Sequence, residues 1–348
     1  MTPGGGQRVE PLALDGPQPE WSALAKESRN VFATPEFLRL WWEVYGGDRQ
    51  LLLHAVRDPS GRLAAVLPLY LWRRRPLRVL RFLGHGVGDE LGPICSEGDR
   101  EEAARALQGL LQDTGAQLLV GEHLPRPAGW RERLGGRVLV EEGSPILRLT
   151  GLSWDELLAA RSKNLRSMAR RSEKKLLERG ARYRLADDPA RLDDDLTTLF
   201  RLHRERWQKP TGFGSREDFH RRWAPVALER GWLRFWLLEL EGRPLAAWYG
   251  LRFAGTESYY QSGRDLEFDR DSVGLTLLAH SIRSALEDGM EEYRFLRGDE
   301  PYKYRFTQDD PGLETIAVTR GLAGSSAVAA ARFGRAARQR LRGALRRA

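Results

Sequence analysis

The chain has 348 residues, enough for about two domains, and its 41% hydrophobic and 30% charged residues are the balance of an ordinary soluble globular protein. Its single cysteine, Cys95, excludes an internal disulfide, and no stretch approaches the ~20 apolar residues of a membrane span. The net charge of +8 is local: residues 321–348 hold seven arginines and no acid, and without that +7 the rest carries +1, which argues against a nucleic-acid-binding body.

Residues 1–20, rich in Pro and Gly, read as a disordered lead-in without a signal peptide's basic start and apolar middle. A cytoplasmic protein is expected. Residues 31–45 place apolar side chains at 37, 38, 41, 42 and 45, a helical spacing, with Thr34 and Pro35 as cap and first-turn pair. Residues 51–56 and 63–72 read as strands joined by Asp58-Pro59-Ser60-Gly61. A third strand is predicted over 78–83, a helix over 100–112, a strand over 117–122, and one or two more over 138–149.

Residues 161–180 carry eight Lys or Arg against two Glu. Leu165, Met168, Ala169, Ser172 and Leu176 form a less polar stripe at helical spacing. The segment fits a solvated helix packed by that stripe, or a basic rim over a cleft. Helices then follow over 192–207 and 215–229. Strands over 234–240 and 245–253 join through Glu241-Gly242-Arg243-Pro244. A strand over 257–263, a helix over 275–288 stopped by Gly289, and a strand over 292–297 complete the order.

The two halves share letters as well as order. Gly61-Arg62-Leu63-Ala64-Ala65 matches Gly242-Arg243-Pro244-Leu245-Ala246-Ala247 at the same place in each hairpin. A tandem duplication is expected, with domains over 21–150 and 151–320 and a basic tail over 321–348. Val328, Phe333, Ala337, Leu341 and Leu345 give that tail a helical spacing among arginines. It could lie on the inner face of an anionic membrane or meet another anionic partner.

The chemistry concentrates in the second half. Asp271-Ser272-Val273-Gly274-Leu275-Thr276 opens a helix whose first amides have no internal partner and carry partial positive charge. Ser272 and Gly274 are therefore candidates to hold a diphosphate. The preceding Ser258-Tyr259-Tyr260-Gln261-Ser262-Gly263 ends small, a mark of a bulge or a close ligand approach. Tyr260, Ser262 and Gly263 are its candidates for an acyl-bearing arm, with a backbone amide for the acyl oxygen. The loop Gly298-Asp299-Glu300-Pro301-Tyr302-Lys303 follows the last strand, where ligands collect in open α/β sheets. Asp299 or Glu300 would orient an ammonium or take its proton, Tyr302 would return a proton to a leaving thiolate, and Lys303 would pair with a phosphate or carboxylate. The same letters also fit a solvated turn and packing tyrosines. Trp207 and Trp248 could line an acyl or sugar pocket. The six histidines lack metal spacing, and no CxxC, HExxH or Walker loop is present; no metal is expected.

The order from 234 to 306, with Arg270-Asp271-Ser272-Val273-Gly274-Leu275 and Gly298-Asp299-Glu300-Pro301-Tyr302-Lys303, resembles the GNAT-superfamily acyltransferases. Within it the chain looks like the CelD-type cellulose-biosynthesis proteins, which are similar to the FemAB peptidyltransferases. The resemblance implies an α/β (α+β) fold of two tandem GNAT-like domains, each a mixed, mostly antiparallel twisted sheet flanked by helices. It implies direct transfer of an acyl group, acetyl first, from acyl-CoA to an amine such as an amino sugar or an envelope or exopolysaccharide precursor. Ser262 and Gly263 would then meet the pantetheine arm, and Ser272, Gly274 and Leu275 the pyrophosphate. The family's phosphate loop, Arg/Gln-x-x-Gly-x-Gly/Ala, ends here in Thr276, so aminoacyl-tRNA stays open as a donor; nucleic acid is expected in that reading alone. A non-catalytic accessory protein of an envelope-polysaccharide assembly is the third reading. The first copy has no glycine-marked helix start before Arg100 and is expected to be degenerate, shaping the acceptor cleft.

Overall fold

A computed structural model describes residues 8–74, 77–321 and 324–326. The remainder of the expected basic tail, with its proposed anionic partner, lies outside the described residues, as do residues 1–7. The chain divides into two compact units. One takes the residues up to Ser28, Phe32–Glu142 and the chain from Leu313 onward; the other takes Arg29–Val31 and Gly143–Gly312.

The first unit runs β1 (Arg8–Pro11), α1 (Pro19–Glu27), α2 (Pro35–Tyr45), β2 (Gln50–Arg57), β3 (Leu63–Arg74), β4 (Leu77–Phe82), β5 (Ile94–Cys95), α3 (Arg100–Asp113), β6 (Leu118–Pro125), α4 (Trp130–Leu134) and β7 (Arg137–Glu142). The second runs β8 (Ile146–Arg148), α5 (Trp154–Ala159), α6 (Lys163–Glu178), β9 (Ala181–Leu185), α7 (Leu192–Trp207), α8 (Glu217–Glu229), β10 (Leu233–Leu240), β11 (Arg243–Phe253), β12 (Thr256–Arg264), α9 (Val273–Glu287) and β13 (Glu292–Arg294). The last strand, β14 (Leu313–Thr319), returns to the first unit.

Local chemistry sets these elements. Thr34 caps α2 by accepting from the Phe37 amide, and Pro35 needs no hydrogen-bond partner in the first turn. In the β2–β3 turn Asp58 accepts from the Ser60 amide at 2.8 Å, and Gly61 supplies a φ of +90°. Ser153 and Glu156 form a reciprocal capping box on α5.

The first sheet is ordered β1-β2-β3-β4-β6-β14-β7, with β5 on β3; the second is β8-β13-β12-β11-β10-β9. In each sheet a single neighbouring pair is parallel. It is β4 with β6 through α3, and β12 with β13 through α9. The two units are thus the same mixed, mostly antiparallel design, as the hairpin letters suggested. One core packs Leu67, Leu69 and Leu80 of the sheet against Leu107 of α3. The other packs Trp248 and Tyr293 against Leu277 and Ile282 of α9.

Three expectations need correction. Residues 8–20 are not a free lead-in: β1 pairs with His54–Arg57 along the edge of β2, and α1 buries Trp21, whose indole donates to the Ala33 carbonyl at 2.8 Å. The unit boundary falls at Gly143 rather than 150, because Ile146–Arg148 pairs with β13. The second unit ends at Gly312 rather than 320, because β14 inserts between β6 and β7. Among the described residues no helix is long and apolar enough to cross a membrane.

Candidate active site

The site is built on β12. Its register against β11 slips: Tyr249 faces Gln261 while Gly250 faces Tyr259, which leaves Tyr260 as an extra, bulged residue. Gly250 permits the bend, since a Cβ there would lie 2.1 Å from the Trp248 ring and 2.5 Å from the Ser258 carbonyl oxygen. Pairing with β13 stops at Ser258. Beyond that point β12 has a sheet partner on one side alone.

The bulge also resets the faces of the strand. Tyr259 and Ser262 turn into one cavity of about 290 Å³, with their hydroxyl oxygens 2.5 Å apart. Tyr260 packs elsewhere, its ring 5.2 Å from His220 and 6.1 Å from Phe213.

The start of α9 opens into the same cavity. Asp271, just before it, is held by Lys175 at 2.6 Å and Arg179 at 3.0 Å, both from the α6 side. These contacts tie down the turn that ends at Ser272, which takes a left-handed φ of +57° and whose side chain makes no cap. The first-turn amides of α9 therefore receive no capping side chain, and Ser272, Gly274 and Leu275 line the cavity. Around Gly274 an added Cβ would approach the Arg264 Cδ atom alone, at 3.2 Å. Gly263 differs: its Cβ would lie 2.5 Å from the His203 amide nitrogen and 2.6 Å from the Leu202 carbonyl carbon. Its missing side chain serves the close approach of α7.

A polar cluster completes the wall. Arg206, from the last turn of α7, donates to Ser262 Oγ at 2.6 Å. The rings of Tyr259 and Tyr302 meet edge-on with centroids 6.1 Å apart. Burial, then Tyr259 and Glu300, push the Tyr302 hydroxyl pKa far above its usual value. Tyr302 thus keeps its proton at neutral pH. Burial opposes the charge of Arg206, but Tyr259, Tyr302 and Glu300 around it outweigh burial and raise its pKa.

The structure gathers Ser262, Gly263, Ser272, Gly274, Leu275 and Tyr302 at one cavity, and leaves Tyr260 out of its wall. Asp299 accepts from the Gly143 amide at 2.7 Å. Lys303 is buried, donating to the carbonyls of Leu296, Arg297 and Gly298 and pairing with Glu300 at 2.9 Å. These three side chains shape the loop that presents Tyr302. Arg206 had no sequence signal, being one of three arginines in the second half of α7. Met168 of α6 also lines the cavity, while Leu165, Ala169 and Leu176 bury the rest of the stripe. Burial pushes the Cys95 thiol up to about 12, so it holds no thiolate at neutral pH. Among the described residues no group of three or more His, Cys, Asp or Glu is placed for a metal ion.

The equivalent helix start in the first unit carries its own carboxylate. Asp99, at the N-cap of α3, takes a two-pronged ion pair from Arg62 at 2.8 and 2.9 Å and a bond from Ser96 at 2.7 Å. Arg62 above all holds its carboxyl below the usual range. Asp99 caps no first-turn amide, but it sets a fixed negative charge beside that end of the helix, which disfavours a second anion there.

The uncapped crossover helix beside a bulged, half-paired strand points to one fold. Residues 163–304 match the model of the acetyltransferase (GNAT) domain family. The chain carries the GNAT-domain acyltransferase fold. Among solved structures it is similar to FemX, with a TM-score of 0.63 and 12% identity over 90% of this chain and 97% of that one. The C-terminal domain of a putative lysylphosphatidylglycerol synthetase from Agrobacterium fabrum gives 0.57 and 12% over 89% and 94%. A tandem GNAT protein from the clavulanic acid biosynthesis pathway gives 0.50 and 13% over 91% and 99%. No curated protein sequence matches the chain.

Proposed function

We propose that the second unit is an N-acyltransferase that moves an acyl group from an acyl-CoA directly to an amine. The observation that carries this reading is that the uncapped start of α9 and the half-paired stretch of β12 open into one cavity. The α9 amides suit the donor's pyrophosphate. The free side of β12 suits an extended pantetheine arm, and a bulge amide suits the acyl oxygen as it gains charge. The amine nitrogen bonds to the thioester carbon, the carbon–sulfur bond breaks, and the nitrogen gives up its proton to water. Tyr302 shares its retained proton with the departing sulfur. Catalysis is mainly placement of the two reactants.

Calorimetric titration with acetyl-CoA, followed by a thiol-release assay over amino sugars, amino acids and polysaccharide-precursor amines, tests the reading. Saturable donor binding is expected, and Tyr302→Phe should lower kcat by roughly 100-fold with little change in donor affinity. The absence of both binding heat and protection from unfolding at millimolar donor would reject it.

A second donor, aminoacyl-tRNA, is favoured by one feature: Lys163, Arg170, Arg171 and Lys174 stand exposed along α6, beside the cavity residue Met168. If charged tRNA binds no better than bulk RNA at moderate salt, that donor is ruled out.

A further inference from the structure

Of the three arginines in the cavity wall, Arg264 is paired with Asp269, while Arg206 and Arg305 have no ion pair among the described residues; Arg206 is the one that touches the bulged strand. The described residues hold many arginines, and most are balanced by a carboxylate: Arg264 by Asp269 at 2.5 Å, Arg184 by Asp195 at 2.6 Å, Arg283 by Glu173 at 2.7 Å. Arg206 is not. Its side chain meets the hydroxyl of Ser262, the neighbouring Tyr259 and the face of Trp207, with the guanidinium carbon 5.0 Å from that ring. Among the described residues no carboxylate lies within ion-pairing distance of it. The acid whose charge reaches it, Glu300, is engaged by Lys303 at 2.9 Å.

A half-buried guanidinium met mainly by neutral groups has traded part of its hydration for no direct counter-charge. Burial is the largest single influence on it and acts against its charge, although Tyr259, Tyr302 and Glu300 together leave its pKa raised. Such a group persists where an arriving anion completes it. Its planar fork matches a carboxylate through two parallel bonds. Its partners, Ser262, Tyr259 and Tyr302, belong to the bulge and to the tyrosine assigned to the leaving sulfur. For a donor phosphate the cavity offers other positive groups, the α9 amides and Arg305.

We propose that Arg206 receives a substrate carboxylate at the transfer end of the cavity, so that one reactant is an acid: an amine acceptor of the amino-acid type, or a dicarboxylic acyl group on the donor. This rests on the acyltransferase reading above and narrows its substrate class. Arg206 is a specificity residue; the bonds made and broken stay as described.

The test compares kcat/KM for matched pairs on the full chain. One arm sets amino acids against their amides as acceptors with acetyl-CoA. The other sets succinyl-CoA against acetyl-CoA with a carboxylate-free amine. Wild type should prefer the carboxylate member of one pair by roughly 100-fold, the scale of one hydrogen-bonded contact to a charged group. The arm that shows the preference identifies which reactant carries the acid. In Arg206→Gln the preference ratio should collapse toward one, through KM. In Arg206→Lys, which keeps the charge without the fork, part of the ratio should survive. Wild type without preference in either arm overturns the proposal, even where Arg206→Gln does not fold. Equal loss for both members of each pair overturns it too, and assigns Arg206 to the oxyanion or the framework. Weaker acetyl-CoA binding by Arg206→Gln with an unchanged ratio assigns it to the donor phosphates. Failure of the parent reading looks different: no donor binds and no amine is acylated in any arm.

Discussion

Gly263 and Gly274 line the same cavity, yet alanine should act on them in opposite directions. At Gly263 the new methyl would meet the α7 backbone at 2.5–2.6 Å, and a helix backbone cannot step aside as a side chain can. A loss of about 3 kcal/mol is expected, at the upper end of ordinary overpacking. At Gly274 the methyl meets a flexible Arg264 side chain at 3.2 Å, and alanine favours the helix. Stability should hold or rise by up to ~0.5 kcal/mol. The same methyl intrudes on the space beside the α9 amides, so acetyl-CoA affinity should fall by roughly tenfold, about 1.4 kcal/mol. Thermal melts and donor calorimetry on the two variants check this. If Gly274→Ala binds donor as wild type does, the diphosphate does not sit at the start of α9. The sequence made both glycines look like ligand positions. It could not separate them, because the neighbour that decides Gly263 is on α7, some sixty residues earlier in the chain.

At the scale of elements, α7 and α8 each bury a neutral histidine in the second unit, and α9 holds a third half-buried. Burial lowers the pKa of His220 on α8 to about 3 and of His280 on α9 to about 4, and lowers that of His203 on α7. Neither ring nitrogen of His220 has a hydrogen-bond partner. Unfolding releases these groups to an ordinary value near 6.5, where they bind protons the folded unit refuses. Their contribution to stability is therefore complete above about pH 6.5 and is lost as pH falls toward 4, at up to ~1.4 kcal/mol per pH unit for each histidine. Urea unfolding between pH 7.5 and 4 should show this slope, and His220→Leu should flatten it. An unchanged slope in the variant would mean that His220 does not titrate on unfolding. The helices themselves were readable from apolar spacing, as were both hairpins from their turn residues. The bulge on β12 was not: an extra residue leaves no periodic signature, and Gly250 on the partner strand is what admits it. Arg206 carries no signal in the sequence, since a side chain at a helix end shows its direction only when the neighbouring strand is in place.

At the scale of the whole chain, β14 is where order in sequence and order in space part. Leu313–Thr319 follows the second unit but lies between β6 and β7 of the first, with six of its seven residues buried. The predicted order stops at the strand over 292–297 and omits β14, and even a recognised strand does not name its sheet: its partners lie almost two hundred residues earlier. Burial of Leu313, Ile316 and Val318 is worth roughly 1.5–3 kcal/mol each, a large part of the ~5–15 kcal/mol that holds a domain folded. Removal would also strip β6 and β7 of their shared neighbour and leave both edges open. A chain ending at Gly312 should therefore lose hydrogen-exchange protection at the β6 and β7 amides, although every residue of the first unit's first 142 positions remains. A chain ending at Ser326, which keeps β14 and discards the remaining tail arginines, should retain it. If the shorter chain protects Leu118–Pro125 as the longer one does, the first unit does not depend on its returning strand, and the division of the chain at Gly312 describes geometry without describing stability.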